Sequence, residues 1–287
     1  MLMELLNPKN DYTFKRIFGY VGNENITKEL ISTILDEKIE SITLDCKEIL
    51  EQDLQSDKLG ILDIRAITDN HTQIDIEMQM VDQKNIEDRV LFYWCNMFAK
   101  SIEAGKDYKN SKRTIVILFV DYEIAGLEKI EKYISKWKIR EEDYCNYVLT
   151  DKFEIVIIEI PKYRKLGGEN RKLNTWLKFI DNPGGVCMED VNENETLKEA
   201  KDVLEQISND EYERDLEFKR KLYLMDRKVN EEARYEEGLE EGREEGRKES
   251  RKEIAKEMLK KDINIETIME CTGLTKEKIL ELQNEKL

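Results

Sequence analysis

The sequence predicts an α/β domain built on a mixed β-sheet flanked by helices and followed by an all-helical charged tail. Strand-like runs at residues 41–49, 60–68, 73–81, 114–120 and 153–160 are interleaved with stretches of helical period. The run at 114–120 is apolar throughout, as a strand covered on both faces must be. Beyond residue 188 proline and strand-like runs vanish, and Glu, Lys and Arg dominate.

The elements follow in order. Phe14, Ile17 and Phe18 recur at helical spacing after Pro8, and Ile26, Leu30, Ile31, Ile34 and Leu35 form a second amphipathic stretch. The polar Asp69-Asn70-His71-Thr72 marks a hairpin turn between the second and third strands, with His71 a solvated turn residue. From 87 to 103 the period is helical, with Val90, Leu91, Trp94, Met97, Phe98 and Ile102 on one face. Helices are expected at 127–138 and 172–180, and Asn182-Pro183-Gly184-Gly185 closes the domain. The chain therefore divides into a domain at 1–188, a charged helical linker at 189–262 and a small helical hairpin at 263–287.

Within the linker Gly238, Gly242 and Gly246 repeat every four residues and stack along one side of a helix. Each glycine costs about 1 kcal/mol relative to alanine. Such a stripe would let two helices meet in a homodimer; a solvated spacer held by pairs such as Glu244 with Lys248 is the plainer reading. At the end, two short helices flank Cys271-Thr272-Gly273, with Thr275 as N-cap, at helix-turn-helix spacing. Lys276 and Lys278 are balanced by Glu277 and Glu281, which favours a structural or interaction module over a DNA-reading helix.

Composition narrows the chemistry. No run approaches the roughly 20 apolar residues of a membrane span, and residues 1–10 lack a signal-peptide pattern. The five cysteines are scattered, with no C-x-x-C pair, which fits reduced thiols and a cytoplasmic protein and offers no zinc site. With one histidine, catalysis has to rest on carboxylates. The net charge of −16 argues against a simple basic DNA-binding surface. Residues 189–287 carry 30 acids against 20 bases, so −10 of that total lies in the tail.

The informative residues lie on the hairpin. Alternation puts Ile74, Ile76, Met78 and Met80 on a core face and Asp75, Glu77 and Gln79 on the other. Asp63 and Arg65 share one face of the preceding strand, and a turn near Asn70 brings Asp63 level with Glu77 and Arg65 with Asp75. Opposed side chains have Cβ atoms about 4.5–5.5 Å apart. Two carboxylates at that spacing suit a hard divalent cation. On these residues alone, an ordinary solvated acidic face with Arg65 paired to Asp75 is the plainer reading.

Asp63 followed by Glu77-Met78-Gln79 across a hairpin resembles the PD-(D/E)xK nuclease signature. The wider set, Asn7-Pro8-Lys9-Asn10-Asp11-Tyr12-Thr13-Phe14-Lys15-Arg16-Ile17-Phe18-Gly19, Lys58 to Ile64, Ile76 to Gln79 and Arg89 to Trp94, resembles the transposase-like, recombination-promoting nuclease branch. Leu62 replaces the signature's proline and Gln79 its lysine. The resemblance implies a restriction-endonuclease-like core and a DNA endonuclease associated with recombination or transposition. Asp63, Glu77 and the Met78 backbone carbonyl would hold Mg²⁺, or another divalent cation such as Mn²⁺ or Ca²⁺. Gln79 would be the third catalytic residue, and Asp11 a candidate accessory acid beside its plainer helix-capping role. DNA contacts are expected from Arg89, Tyr93 and Lys100 on the helix after the hairpin, and from Lys162, Arg164 and Lys165. The alternative is a catalytically degenerate member that binds nucleic acid or protein.

Overall fold

A computed structural model describes residues 4–45, 63–82, 85–102, 105, 107–168 and 170–284. The chain forms two compact units, Met1–Leu224 and Met225–Leu287.

In the first unit, α1 (Asp11–Phe18) and α2 (Glu24–Leu35) precede β1 (Ile42–Asp45), β2 (Ile64–Thr68) and β3 (Gln73–Gln79). Then come α3 (Ile86–Lys100), β4 (Thr114–Val120), β5 (Ile134–Trp137) and β6 (Phe153–Glu159). The six strands form one sheet in the order β1-β2-β3-β4-β6-β5. β3, β4 and β6 are parallel and the other neighbours antiparallel, so the sheet is mixed as expected. Strands predicted at 41–49 and 60–68 are seen from Ile42 to Asp45 and from Ile64 to Thr68; residues 46–62, including Leu62 and Lys58, lie outside the described residues. The β2–β3 turn closes with the Thr68 amide donating to the Thr72 carbonyl at 3.0 Å, and His71 takes the left-handed conformation there (φ 63°).

Both faces of the sheet are covered. Ile74, Ile76 and Met78 of β3 join Ile115, Ile117 and Phe119 of β4 beneath α1 and α2. Phe14 packs tilted against Phe18 with ring centres 4.7 Å apart and meets Phe119 at 5.4 Å, while Phe18 reaches Trp176 at 6.0 Å. The N-terminal motif is thus largely architectural. The Asn10 side chain caps α1 by accepting from the Tyr12 amide, and Gly19 ends it. A Cβ on Gly19 would lie 2.9 Å from Ile64 Cγ1 and 3.0 Å from the Lys15 carbonyl, so the close approach of α1 to β2 requires glycine there. On the opposite face, Val116, Leu118 and Val120 pack under α3 with Ile86, Val90 and Met97.

Two expectations are corrected. No helix forms over 127–138. Turns at Ile124–Leu127 and Leu127–Ile130 lead instead into β5, which pairs antiparallel with β6. The open edge of β6 offers a full row of backbone partners, and that tertiary demand overrides local helical period. The domain also does not end at 188. After α4 (Ile160–Leu166), α5 (Arg171–Asp181) and α6 (Met188–Glu193), helix α7 (Glu195–Asn209) buries Leu197, Ala200, Leu204 and Ile207 in the main core.

The start of α8 (Glu211–Lys260) also belongs to the first unit. Glu213 accepts from Tyr12 Oη (2.6 Å) and from Arg16 Nε and Nη2 (2.8 and 2.6 Å), and Arg220 grips Asp11 with Nη2 at 2.7 Å from Oδ2. In the second unit, the α8 glycines are exposed and a Cβ at any of them would meet nothing within 4 Å. Lys248 lies 3.7 Å from Glu244, the pair expected of a solvated spacer. Helices α9 (Ile265–Thr272) and α10 (Lys276–Asn284) pack Ile268, Ile279 and Leu282 on Ala255. Gly273, left-handed at φ 67°, makes the turn between them.

Trp176 is fully buried between Phe18 and Phe179. Trp176→Ala should cost about 3–5 kcal/mol, read as a lowered denaturation midpoint in the full chain, with the second unit's helicity retained.

Candidate functional site

The site is built where the hairpin sheet passes under α3. β2 and β3 pair as Ile64 with Ile76 and Arg65 with Asp75, so one step further Asp63 stands level with Glu77. In the parallel register with β4, Asp75 matches Val116 and Glu77 matches Leu118. The acids therefore continue the apolar face beneath α3 rather than facing water. Asp75 and Glu77 are only 1% and 2% exposed, while Asp63 is half-buried. One carboxylate oxygen from each of Asp63, Asp75 and Glu77 lies within 4.8 Å of the others.

Two arginines flank this group at ion-pair distance. Arg89 of α3 places Nη2 3.9 Å from Glu77 Oε2 while its Nε donates to Tyr93 Oη at 2.7 Å. Arg65 Nε is 4.0 Å from Asp75 Oδ1. Neither distance is a hydrogen bond. Among the described residues Asp75 Oδ1, Glu77 Oε1 and Arg65 Nε find no hydrogen-bond partner. Gln79 turns its amide to Glu77, Nε2 donating to Oε2 at 3.4 Å.

The electrostatic result is a set of carboxyls that resist ionisation. Burial, then Asp63 and Asp75, push Glu77 well above the usual range. Burial and the neighbouring Asp63 push Asp75 up to about 8. Burial raises Asp63 too, against the opposing charges of Arg89, Arg65 and Lys15. Hard, buried and partly unpartnered oxygens are a donor set that fits a divalent cation such as Mg²⁺, Mn²⁺ or Ca²⁺. The Gln79 carbonyl accepts from the Asp121 amide on the β4 side. Carbonyls alternate along a strand, so that of Met78 points to the β2 side, where Asp63 lies.

The other predicted residues fall in three places. Asp11 is not in the carboxylate group; Arg220 holds it, although its charge is felt at Asp63. Arg89 and Tyr93 turn towards the acids, and Lys100 is exposed at the end of α3. Of the proposed phosphate contacts at 162–165, Lys162 is corrected, because it is buried. Lys162 is buried, with Nζ 2.7 Å from Glu159 and donating to the Leu127 and Ile130 carbonyls at 2.7 and 3.1 Å. It supports the very segment expected to be helical. Arg164 bridges Asp121 and Asp181 at 2.6 and 2.5 Å, and Lys165 pairs with Glu123. Sequence reasoning left Asp75 to Arg65 and passed over Arg220. The first was legible in the two-residue spacing to Glu77; the second sits 209 residues from its partner with no local signal.

Two outcomes are expected. Unfolded Asp and Glu titrate near about 4. The raised folded values give stability that is fully present below that pH and lost as pH rises through the folded values, about 8 for Asp75. Metal-free protein in EDTA should therefore lose thermal stability from pH 6 to 9. Glu37 and Asp181, held low by Arg113 and Arg164, are ionised in both states there and add no slope. A flat profile would contradict the repulsion. Separately, Lys162→Met should destabilise by about 3–5 kcal/mol, by stranding Glu159, while DNA affinity and its salt dependence stay unchanged.

No helix among the described residues is long and apolar enough to cross a membrane. No curated protein and no solved structure matches the chain significantly. The family model described as Rpn/YhgA-like nuclease family, C-terminal HTH domain, matches residues 248–284. The tail hairpin, expected to be a structural or interaction module, thus lies within a match to a helix-turn-helix model. The model described as PD-(D/E)XK nuclease family transposase matches residues 8–233. The carboxylate hairpin and the mixed sheet that carries it accord with that match, and the chain belongs to the PD-(D/E)XK nuclease family.

Proposed function

We propose that the protein is a divalent-metal-dependent DNA endonuclease that hydrolyses phosphodiesters, acting in recombination or transposition-like processes. The observation that carries this reading is the buried carboxylate group with unpartnered oxygens, in a chain of a nuclease family. Asp63, Glu77 and the Met78 carbonyl would hold the cation. When bound, such an ion polarises the scissile phosphate and makes a coordinated water acidic enough to react near neutral pH.

The chain's own residues position the rest. Gln79 cannot take a proton near neutral pH, but its amide is fixed by Glu77, and its side-chain oxygen can accept from the attacking water. Arg89 has a planar guanidinium beside the acids and can bind a phosphate oxygen once a cation has neutralised Glu77. Tyr93 steadies it, through the hydrogen bond and by lying under the guanidinium at 5.1 Å from the ring centre. Lys100 supplies an exposed charge further along α3. The helix-turn-helix match supports DNA as the partner, with α10 as the helix that enters the groove and Lys276 and Lys278 meeting phosphates.

Wild-type protein should nick supercoiled plasmid in Mg²⁺ or Mn²⁺ and not in EDTA. Asp63→Ala and Glu77→Ala should each reduce the rate by more than about 100-fold. Equal nicking by all three proteins would refute the site. Absence of nicking by wild type with every metal would favour a degenerate, binding-only member.

A further inference from the structure

We propose that Asp75, which lies outside the nuclease signature, is a third cation ligand of this site. The inference rests on the metal-dependent reading above and extends it to a residue that the signature does not assign.

Three observations carry it. Asp75 projects from the same face of β3 as Glu77, two residues away, and one of its oxygens lies within 4.8 Å of an oxygen of both Asp63 and Glu77. Two oxygens on opposite sides of one ion are separated by twice the metal–oxygen distance, about 4.0–4.2 Å for Mg²⁺ and about 4.6–5.2 Å for Ca²⁺. The three carboxylates thus already fall within the coordination span of a Ca²⁺-sized ion, and a small closure would suit a smaller one. Secondly, Asp75 is 1% exposed and its Oδ1 has no hydrogen-bond partner among the described residues. A buried carboxylate oxygen left in that condition is destabilising, so such groups are retained where something else satisfies them. Thirdly, Arg65, the cation paired with it among the described residues, does not do so. Arg65 Nε stops 4.0 Å away and is itself without a hydrogen-bond partner, and its side chain is 31% exposed. An arginine placed to neutralise Asp75 would close that gap. Oδ1 is left without a hydrogen bond beside the other two acids.

With three carboxylates, the site carries one more negative charge than the signature alone supplies, which favours binding of Mn²⁺ and Ca²⁺ in the absence of DNA. The test is calorimetric titration of the full chain with Mn²⁺ and with Ca²⁺, without nucleic acid, comparing wild type with Asp75→Asn. Asn is isosteric, and its fold is checked by circular dichroism. The affinity of Asp75→Asn for both ions should fall at least about tenfold. Unchanged affinity in a folded Asp75→Asn protein would overturn the proposal while leaving Asp63 and Glu77 as ligands. A wild type that binds neither ion would remove both this inference and the metal-dependent reading. Should Asp75→Asn not fold, anomalous diffraction from Mn²⁺-soaked wild-type crystals decides. An Asp75 oxygen within about 2.5 Å of the ion supports the assignment, and one beyond about 3.5 Å refutes it.

Discussion

Three like charges placed beneath a helix, on a face that the next strand fills with valine and leucine, constrain this fold more than any other interaction. Asp63, Asp75 and Glu77 could each have been solvated by a shift of the hairpin, yet the register buries two of them beside Val116 and Leu118. Ordinary stability would replace them with apolar residues, since even a paired buried charge seldom improves on a hydrophobic substitute. The rest of the first unit holds the arrangement in place. Gly19 lets α1 lie against Ile64, the aromatic cluster of Phe14, Phe18 and Trp176 fixes the far face of the sheet, and α3 covers the near one.

α8 adds a second layer of control. Through Glu213 and Arg220 it is tied to Tyr12, Arg16 and Asp11 on α1, the helix that also carries Lys15 to within electrostatic reach of Asp63. A segment that reads as a dispensable charged tail therefore begins as part of the nuclease unit. The family match ending at residue 233, well beyond 188, accords with this.

How much of this could be read from the sequence depends on whether the signal was local. The hairpin was legible because period-two alternation, a polar turn and the position of Asp63 fix a register without further information. The buried α7 was also legible in the spacing of Leu197, Ala200, Leu204 and Ile207, but its surrounding Glu and Lys obscured it. β5 was not, because only the open edge of β6 makes residues 134–137 extend. The basic run at 162–165 was likewise readable only in charge, not in burial or pairing. Lys162, Arg164 and Lys165 look like a phosphate track until their acidic partners, Glu159, Asp121, Asp181 and Glu123, are brought to them by the fold. At the site, charge type was readable and burial was not, so Asp75 was assigned to Arg65 instead of to the acids.

Neutralising Glu77 separates mutual repulsion from an ordinary ion pair with Arg89. The decisive measurement is the unfolding free energy of Glu77→Gln against wild type at pH 8, in EDTA and again with excess Ca²⁺. Repulsion predicts that the variant is the more stable protein without metal and gains nothing from Ca²⁺, whereas wild type gains. A variant that is less stable in EDTA and still responds to Ca²⁺ would show that Glu77 serves Arg89, and the account would fail.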